Sequence, residues 1–179
     1  MPGSAAVFLD RDGILNRAII IAGMPRPPAT AHQLEIIPGM DAELQRLRAA
    51  EYLLLGITNQ PDVARGTQDR AVVESINSHI LSQLPLREIL VCYHDDQDDC
   101  ECRKPRPGLI LRAAQQYGVD LSRSWMVGDR WKDIAAGRAA GLRTIFVDYR
   151  YSEAYNGPPA DFSVGSPQQI AEIVLRGLL

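Results

Sequence analysis

Four short stretches, LDRDG (9–13), TNQ (58–60), RKP (103–105) and VGDRWKD (127–133), hold residue types that could do one kind of chemistry together. Asp10 and Asp12 are two apart, so their carboxylates are close without being equivalent. One can serve as a nucleophile while the other gives and then takes a proton. Asp129 and Asp133 add two more acids, and a cluster of carboxylates without cations repels itself. Hard oxygen ligands of this kind suit Mg²⁺, which uses a few carboxylates together with substrate phosphate and water. Thr58, Asn59 and Lys104 are donors of the sort that stabilise the equatorial oxygens of a transferring phosphoryl group. A D-x-D pair alone carries little weight, because Asp96 and Asp98 repeat that spacing in a polar loop; the ordered set of four stretches carries the reading. Lysine occurs only at 104 and 132, both within or beside these motifs, while arginine fills the other basic positions.

The segment CYHDDQDDCECRKP (92–105) contains all three cysteines, one of the three histidines and one of the two lysines. Cys92 and His94, and Cys100 and Cys102, are pairs two apart, which an extended chain presents on one face. Four such ligands fit a closed, tetrahedral structural zinc site. Zinc would clamp the intervening loop DDQDD so that Arg103 and Lys104 face the carboxylates. Asp95, Asp96, Asp98 and Asp99 are read as solvated charge around that clamp.

Residues so far apart need a frame that gathers them. Short apolar, β-rich runs alternate with helical patterns, which predicts stacked β-α units around a parallel sheet. Strands are expected over 5–10, 52–59, 87–94, 124–129 and 143–148, and helices over 38–52, about 67–84, 107–118, 132–141 and 166–179, with Ser166 as a cap. In such a sheet ligands bind beyond the carboxyl ends of the strands, which is where the four stretches fall. Residues 13–37 and 149–165 interrupt the alternation as long loops, and long ordered loops are often functional.

Bulk properties narrow the classes. With 179 residues, 46% apolar and 23% charged, the chain is expected to form one globular domain over 1–179. A net charge of −3 offers no general basic surface for nucleic acid. No secretory signal or membrane-length apolar run is read, and an odd count of three crowded cysteines is a poor disulfide framework. A cytoplasmic location is therefore expected.

On FLDRDG, TNQ, RKP and VGDRWKD, in this order, the chain resembles phosphatases of the haloacid dehalogenase superfamily. Its C-x-H…C-x-C loop just before the Arg-Lys pair makes it similar in particular to the D-glycero-D-manno-heptose 1,7-bisphosphate phosphatases, relatives of the histidinol-phosphate phosphatases. The resemblance runs over residues 5–148. It implies an α/β fold, a doubly wound, Rossmann-like parallel sheet without a large cap domain, together with catalytic Mg²⁺ and structural Zn²⁺. It also implies that Asp10 attacks phosphorus and carries the phosphoryl group, and that Asp12 protonates the leaving oxygen and then activates water. Asp10, Asp129 and the main-chain carbonyl of Asp12 would hold Mg²⁺, and Cys92, His94, Cys100 and Cys102 would hold Zn²⁺. Thr58, Asn59 and Lys104 would stabilise the transferring group, Arg103 would reach the substrate, and Asp133 would support Lys104 or the metal waters.

Asn16, Arg17, Arg26 and Arg65 lie in loops expected at the mouth, where arginine forks could hold a second phosphate. A sugar bisphosphate is the expected substrate. Histidinol phosphate or another small phosphate ester is the alternative within the enzymes, and a phosphoacceptor signalling domain is the alternative from another class. The chain departs from the heptose enzymes at Pro61-Asp62-Val63, where they carry a small Ser-Gly pair, and over 17–30. The expected partner is a small phosphorylated sugar, with no nucleic acid or membrane, and the chain is expected to be a monomer or small homo-oligomer.

Overall fold

The computed structural model describes residues 3–177. In chain order it runs β1 (Ala6–Leu9), β2 (Ile19–Ile21), β3 (Met24–Arg26), α1 (Met40–Ala49), β4 (Leu53–Asn59), α2 (Arg70–Gln83), β5 (Glu88–Cys92), α3 (Gly108–Tyr117), β6 (Trp125–Gly128), α4 (Trp131–Ala139), β7 (Arg143–Val147), β8 (Phe162–Val164) and α5 (Ile170–Arg176). Six strands form one sheet in the order β5-β4-β1-β6-β7-β8, and every pairing in it is parallel. This is the doubly wound α/β sheet expected from the sequence.

β1 is buried along its whole length because both faces of the sheet are covered. Its side chains alternate: Val7 and Leu9 pack in a layer with Met40, Leu44 and Leu47 of α1, Ile76 and Ile80 of α2, and Ile170 and Val174 of α5. Ala6 and Phe8 pack in a second layer with Leu109, Ile110 and Ala113 of α3 and Ala136 of α4. Each large apolar side chain so buried contributes about 1.5–3 kcal/mol. α4 lies close on the sheet because residue 137 is glycine; a Cβ there would sit 2.5 Å from the Cβ of Met126.

The chain winds outward from β1 through β4 to β5, then returns to β6 on the other side of β1. The reversal leaves a crevice between the carboxyl ends of β1 and β6, the place where this fold binds ligands. Among the described residues no separate cap domain stands over that crevice. The two-stranded β2-β3 hairpin lies beside it, with Ala22 and Gly23 at its turn, both at positive φ (51° and 75°).

Two elements lie outside the expected list. The hairpin carries Pro25 in one strand, which weakens a strand signal, and β8 is a three-residue edge strand. The expected C-terminal helix begins as a 3-10 turn, Pro167–Gln169, capped by Ser166, and continues as α5; residues 178–179 lie outside the described residues. Among the described residues no helix is long and apolar enough to cross a membrane.

Candidate active site

Asp10 follows β1 directly, and its N–H donates to the carbonyl of Val127 at 2.9 Å, so it stands beside the end of β6, where Asp129 follows Gly128. Lys104, from the loop after β5, places Nζ 2.6 Å from Oδ1 of Asp10 and 2.6 Å from Oδ1 of Asp133, and donates to the carbonyl of Ile57 at 3.0 Å. Asp10, Lys104, Asp129 and Asp133 are all buried, with 7%, 3%, 2% and 2% of their surface exposed. Asp133 reaches this point because its other oxygen accepts from the N–H of Arg130 at the start of α4 (3.0 Å). A side chain at residue 128 would collide with it, since a Cβ there would lie 2.2 Å from that of Asp133.

One buried cation among three buried carboxylates leaves surplus negative charge, and the titration of the group reflects it. Burial raises the Asp10 carboxyl to about 7 against the pull of Lys104, with Asp133 and Asp12 adding to the rise. Burial likewise pushes Asp129 well above the usual carboxylate range, reinforced by Asp10 and Asp133. Burial opposes the charge on Lys104, but Asp10 and Asp133 outweigh it and hold the ammonium above its ordinary pKa. Oδ1 of Asp129 is buried without a hydrogen-bond partner. Asp10, Asp129 and Asp133 each offer an oxygen within 4.8 Å of the others. A buried carboxylate oxygen without a donor, in so compact a set of acids, fits a hard divalent cation.

The Asp12 carboxylate is held by three donors: Arg11 NH2 at 2.9 Å, Asn16 Nδ2 at 3.0 Å and Gln60 Nε2 at 2.9 Å. Arg11 is fully buried and also donates to Asn77 of α2 at 2.9 Å, while Gln60 also donates to the hydroxyl of Thr58 at 2.8 Å. Arg11, Gln60 and Asn77 were not among the expected site residues, although Arg11 sits inside D-R-D and Gln60 ends T-N-Q. Asn59 uses its amide on the backbone of Lys104, donating to its carbonyl at 2.9 Å and accepting from its N–H at 3.1 Å.

Cys92 Sγ lies 3.2 Å from that of Cys102, 3.7 Å from that of Cys100 and 3.6 Å from Nδ1 of His94; Cys102 is 3.5 Å from Cys100 and 3.2 Å from the same nitrogen. Bonds of about 2.3 Å to sulfur and about 2.0–2.1 Å to nitrogen put tetrahedral zinc ligands roughly 3.5–3.8 Å apart, so this donor set fits zinc. The acids between the ligands are less idle than solvated charge. Asp95 pairs with Arg65 (2.5 Å), Asp96 with Arg103 (2.8 Å) and Asp99 with Arg106, and Asp98 accepts from the N–H of Asp95 (2.6 Å). Arg65, hydrogen-bonded to Asp95, holds that carboxyl at about 2.

A cavity of about 70 Å³ opens on the carboxylates, lined by Asp10, Asp12, Thr58, Asn59, Lys104 and Asp133 from the motifs and by Pro25, Arg26, Pro27, Arg130 and Lys132 around them. Asn16, Arg65 and Arg103 do not line it: Asn16 is buried under Asp12, and the two arginines are engaged by the acidic loop. Arg17 pairs with Glu35 at 2.7 Å. Arg26 alone of the mouth candidates reaches the cavity, joined by Lys132, which the sequence placed in a motif without a role. Neither has an ion-pair partner among the described residues. A larger cavity of about 380 Å³ lies on the far side of Asp129, against the loop after β7. From that loop Tyr151 donates its hydroxyl to Oδ2 of Asp129 at 2.7 Å. Its only sequence signal is Y-R-Y (149–151), two rings spaced to share one face of an extended chain.

Comparison with known proteins agrees with this geometry. A family model described as HAD-hyrolase-like matches residues 101–154. The D-glycero-beta-D-manno-heptose-1,7-bisphosphate 7-phosphatase of Rhodopseudomonas palustris is 35% identical over 153 residues, covering 79% of this chain and 82% of the relative. That of Pasteurella multocida is 36% identical over 154 residues, covering 79% and 80%. Among solved structures, D,D-heptose 1,7-bisphosphate phosphatase from B. bronchiseptica, complexed with magnesium and phosphate, superposes with a TM-score of 0.79 at 26% identity, covering 97% of this chain and 99% of that one. With a haloacid dehalogenase-like sheet, a cluster of buried carboxylates at its switch point and relatives of this identity along four fifths of its length, the chain belongs to the D-glycero-beta-D-manno-heptose-1,7-bisphosphate 7-phosphatase family.

Proposed function

We propose that this chain is a phosphomonoester hydrolase that removes the 7-phosphate of D-glycero-β-D-manno-heptose 1,7-bisphosphate. The names of its relatives supply the substrate. The observation that carries the chemistry is the buried set of Asp10, Lys104 and Asp133 beside the unpartnered oxygen of Asp129. In this reading a carboxylate oxygen of Asp10 attacks phosphorus, a bond forms between them, and the ester P–O bond breaks. The leaving sugar oxygen takes its proton from Asp12, held at the cavity wall by Arg11, Asn16 and Gln60. Asp12, now ionised, takes a proton from water, which attacks the phosphorylated Asp10 and releases phosphate. Lys104 spreads the charge of the transferring group, Thr58 adds a hydroxyl, and Asn59 and Asp133 fix Lys104 in place. The Asp10 and Asp129 carboxylates and the Asp12 main-chain carbonyl would hold Mg²⁺, which when bound offsets the charge of the acids and of the phosphoryl oxygens. Cys92, His94, Cys100 and Cys102 would hold Zn²⁺ and keep the loop that delivers Lys104 in shape.

A cavity of about 70 Å³ accepts a phosphoryl group but not a whole sugar bisphosphate, so the sugar and its second phosphate lie at the mouth. There Arg26 and Lys132 are the free cations to meet that phosphate; Arg103 and Arg65 would have to leave Asp96 and Asp95 first. A small phosphorylated sugar is the partner this reading needs, and a cytoplasmic setting suits thiols committed to a metal. The test is a Mg²⁺-supplemented panel of both heptose 1,7-bisphosphate anomers, hexose bisphosphates and histidinol phosphate. The β-heptose should give the highest kcat/KM, with ³¹P NMR showing loss of the 7-phosphate, and Asp10→Asn should abolish turnover on all of them. A preference for histidinol phosphate, or full turnover by Asp10→Asn, would overturn the reading.

A further inference from the structure

The loop after β7 had no assigned role in the sequence, yet it is tied to the site at several points. Tyr151 donates to Oδ2 of Asp129 at 2.7 Å, and Tyr149 donates to the carbonyl of Gly13 at 2.9 Å. The two rings stack with centroids 5.6 Å apart. The N–H of Ser152 reaches the carbonyl of Gly23 in the hairpin turn at 2.9 Å, and Arg130 pairs with Glu153. Between the tyrosines Arg150 holds a positive φ of 56°, with its N–H donating to Asp148 at 2.8 Å. A non-glycine residue kept in that region marks a backbone conformation that its surroundings enforce.

The backbone of Gly13 packs closely against the same carboxylate oxygen. Gly13 has φ +96°, and a Cβ on it would lie 1.9 Å from Oδ2 of Asp129. Oδ2 is therefore held by the hydroxyl of Tyr151 and hemmed in by the bare backbone of Gly13. Oδ2 is satisfied and Oδ1 is buried with no donor. Leaving a buried carboxylate oxygen unpaired is costly unless a cation takes it. The side-chain donor on Asp129 is thus a neutral hydroxyl, which fixes the carboxylate without competing for its charge as a lysine would.

We infer that Tyr151 is a positioning residue of the divalent-metal site: its hydroxyl holds Oδ2 of Asp129 so that Oδ1 is presented to the cation, with Tyr149 locking the same strap onto the loop of the D-x-D motif. The inference rests on the metal-dependent phosphatase reading but concerns metal affinity.

Tyr151→Phe keeps the ring and removes the donor. Calorimetric titration with Mg²⁺, and Mn²⁺ titration followed by electron paramagnetic resonance, should show the dissociation constant rising about tenfold, the scale set by one hydrogen bond to a charged group. Excess Mg²⁺ should restore kcat to within about twofold of the parent. Tyr155→Phe is the control, because that hydroxyl bonds the carbonyl of Pro158 at 2.7 Å on the same strap and should leave metal affinity unchanged. An unchanged dissociation constant for Tyr151→Phe overturns the inference, as does a loss of kcat that metal does not restore. If the unmodified protein binds no divalent cation, the phosphatase reading falls with it. If that protein binds the cation yet hydrolyses no sugar phosphate, only the phosphatase reading fails, and the change in metal affinity still decides the role of Tyr151.

Discussion

Lys104 carries one charge that Asp10 and Asp133 share at 2.6 Å each, and a phosphoryl group entering the cavity meets an ammonium already fixed in direction. Preorganised charge of this kind is the larger part of phosphoryl-transfer catalysis. The cations at the mouth differ. Arg26 is exposed and Lys132 partly so, so they are available to a ligand rather than committed to the fold. If they hold the second phosphate, Arg26→Ala and Lys132→Ala should each raise KM for the bisphosphate about tenfold, the worth of one hydrogen bond to a charged group. The heptose 7-monophosphate, lacking that phosphate, should be hydrolysed by both variants nearly as well as by the parent. Equal losses on the two substrates would place these residues in the chemistry instead and sink the assignment. At this scale the sequence was legible where motifs recur in one order or a residue type is scarce: the four ordered stretches with their acids, Lys104, and the Cys/His set. Residues whose value depends on what they face were not legible. Arg11 and Gln60 look like ordinary polar residues until the sheet brings them onto Asp12, and Arg65 and Arg103 look free until the acidic loop folds onto them.

The zinc loop is the element that converts sequence spacing into site geometry. It begins at buried Cys92 on the end of β5 and closes at Cys102, two residues before Lys104, whose backbone is gripped on the other side by Asn59. Helix α3 seals it from below, since a Cβ at residue 108 would lie 2.2 Å from the carbonyl of Glu101. Metal and amide clamp therefore act on the same few residues. Cys100→Ser should lose zinc, read by elemental analysis, and lower kcat roughly ten- to hundredfold through misplacement of Nζ. Circular dichroism separates that outcome from unfolding. A folded, zinc-free variant with full kcat would show that the clamp does not set the position of Lys104. The sheet strands flanking this loop were readable because buried parallel strands are continuous apolar runs. The hairpin, β8 and the tyrosine strap were not, because each is short and held by hydrogen bonds to distant partners. Nothing in I-I-I-A-G-M-P-R states that Gly23 will accept from Ser152, or in Y-R-Y that Asp129 will be waiting.

For the whole molecule, the site sets how stability responds to pH and metal. Without a cation Asp10 binds its proton with a pKa of about 7, against 3.8 as its ordinary value, because burial outweighs the pull of Lys104, and Asp129 shifts in the same direction. A raised carboxyl means that the folded state binds more protons than the unfolded chain across that window. Its favourable contribution is fully present below about pH 4 and is lost as pH rises through about 7. Metal-free protein should therefore melt at a lower temperature at pH 8 than at pH 5.5, by roughly 5 °C or more, taking about 2–4 °C per kcal/mol for a chain of this size. Mg²⁺ needs the same carboxylates ionised, so protons and cation compete, and the cation binds better where the protons have left. The gain in Tm on adding Mg²⁺ should then be small at pH 5.5 and large at pH 8. Asp129→Asn, which cannot take up the charge, should flatten both trends. Differential scanning calorimetry at the two pH values, with and without Mg²⁺, decides it: an equal gain at both would mean that the carboxylates hold no extra proton in the metal-free fold. The surplus negative charge at the crevice would then have to be balanced by something other than protonation.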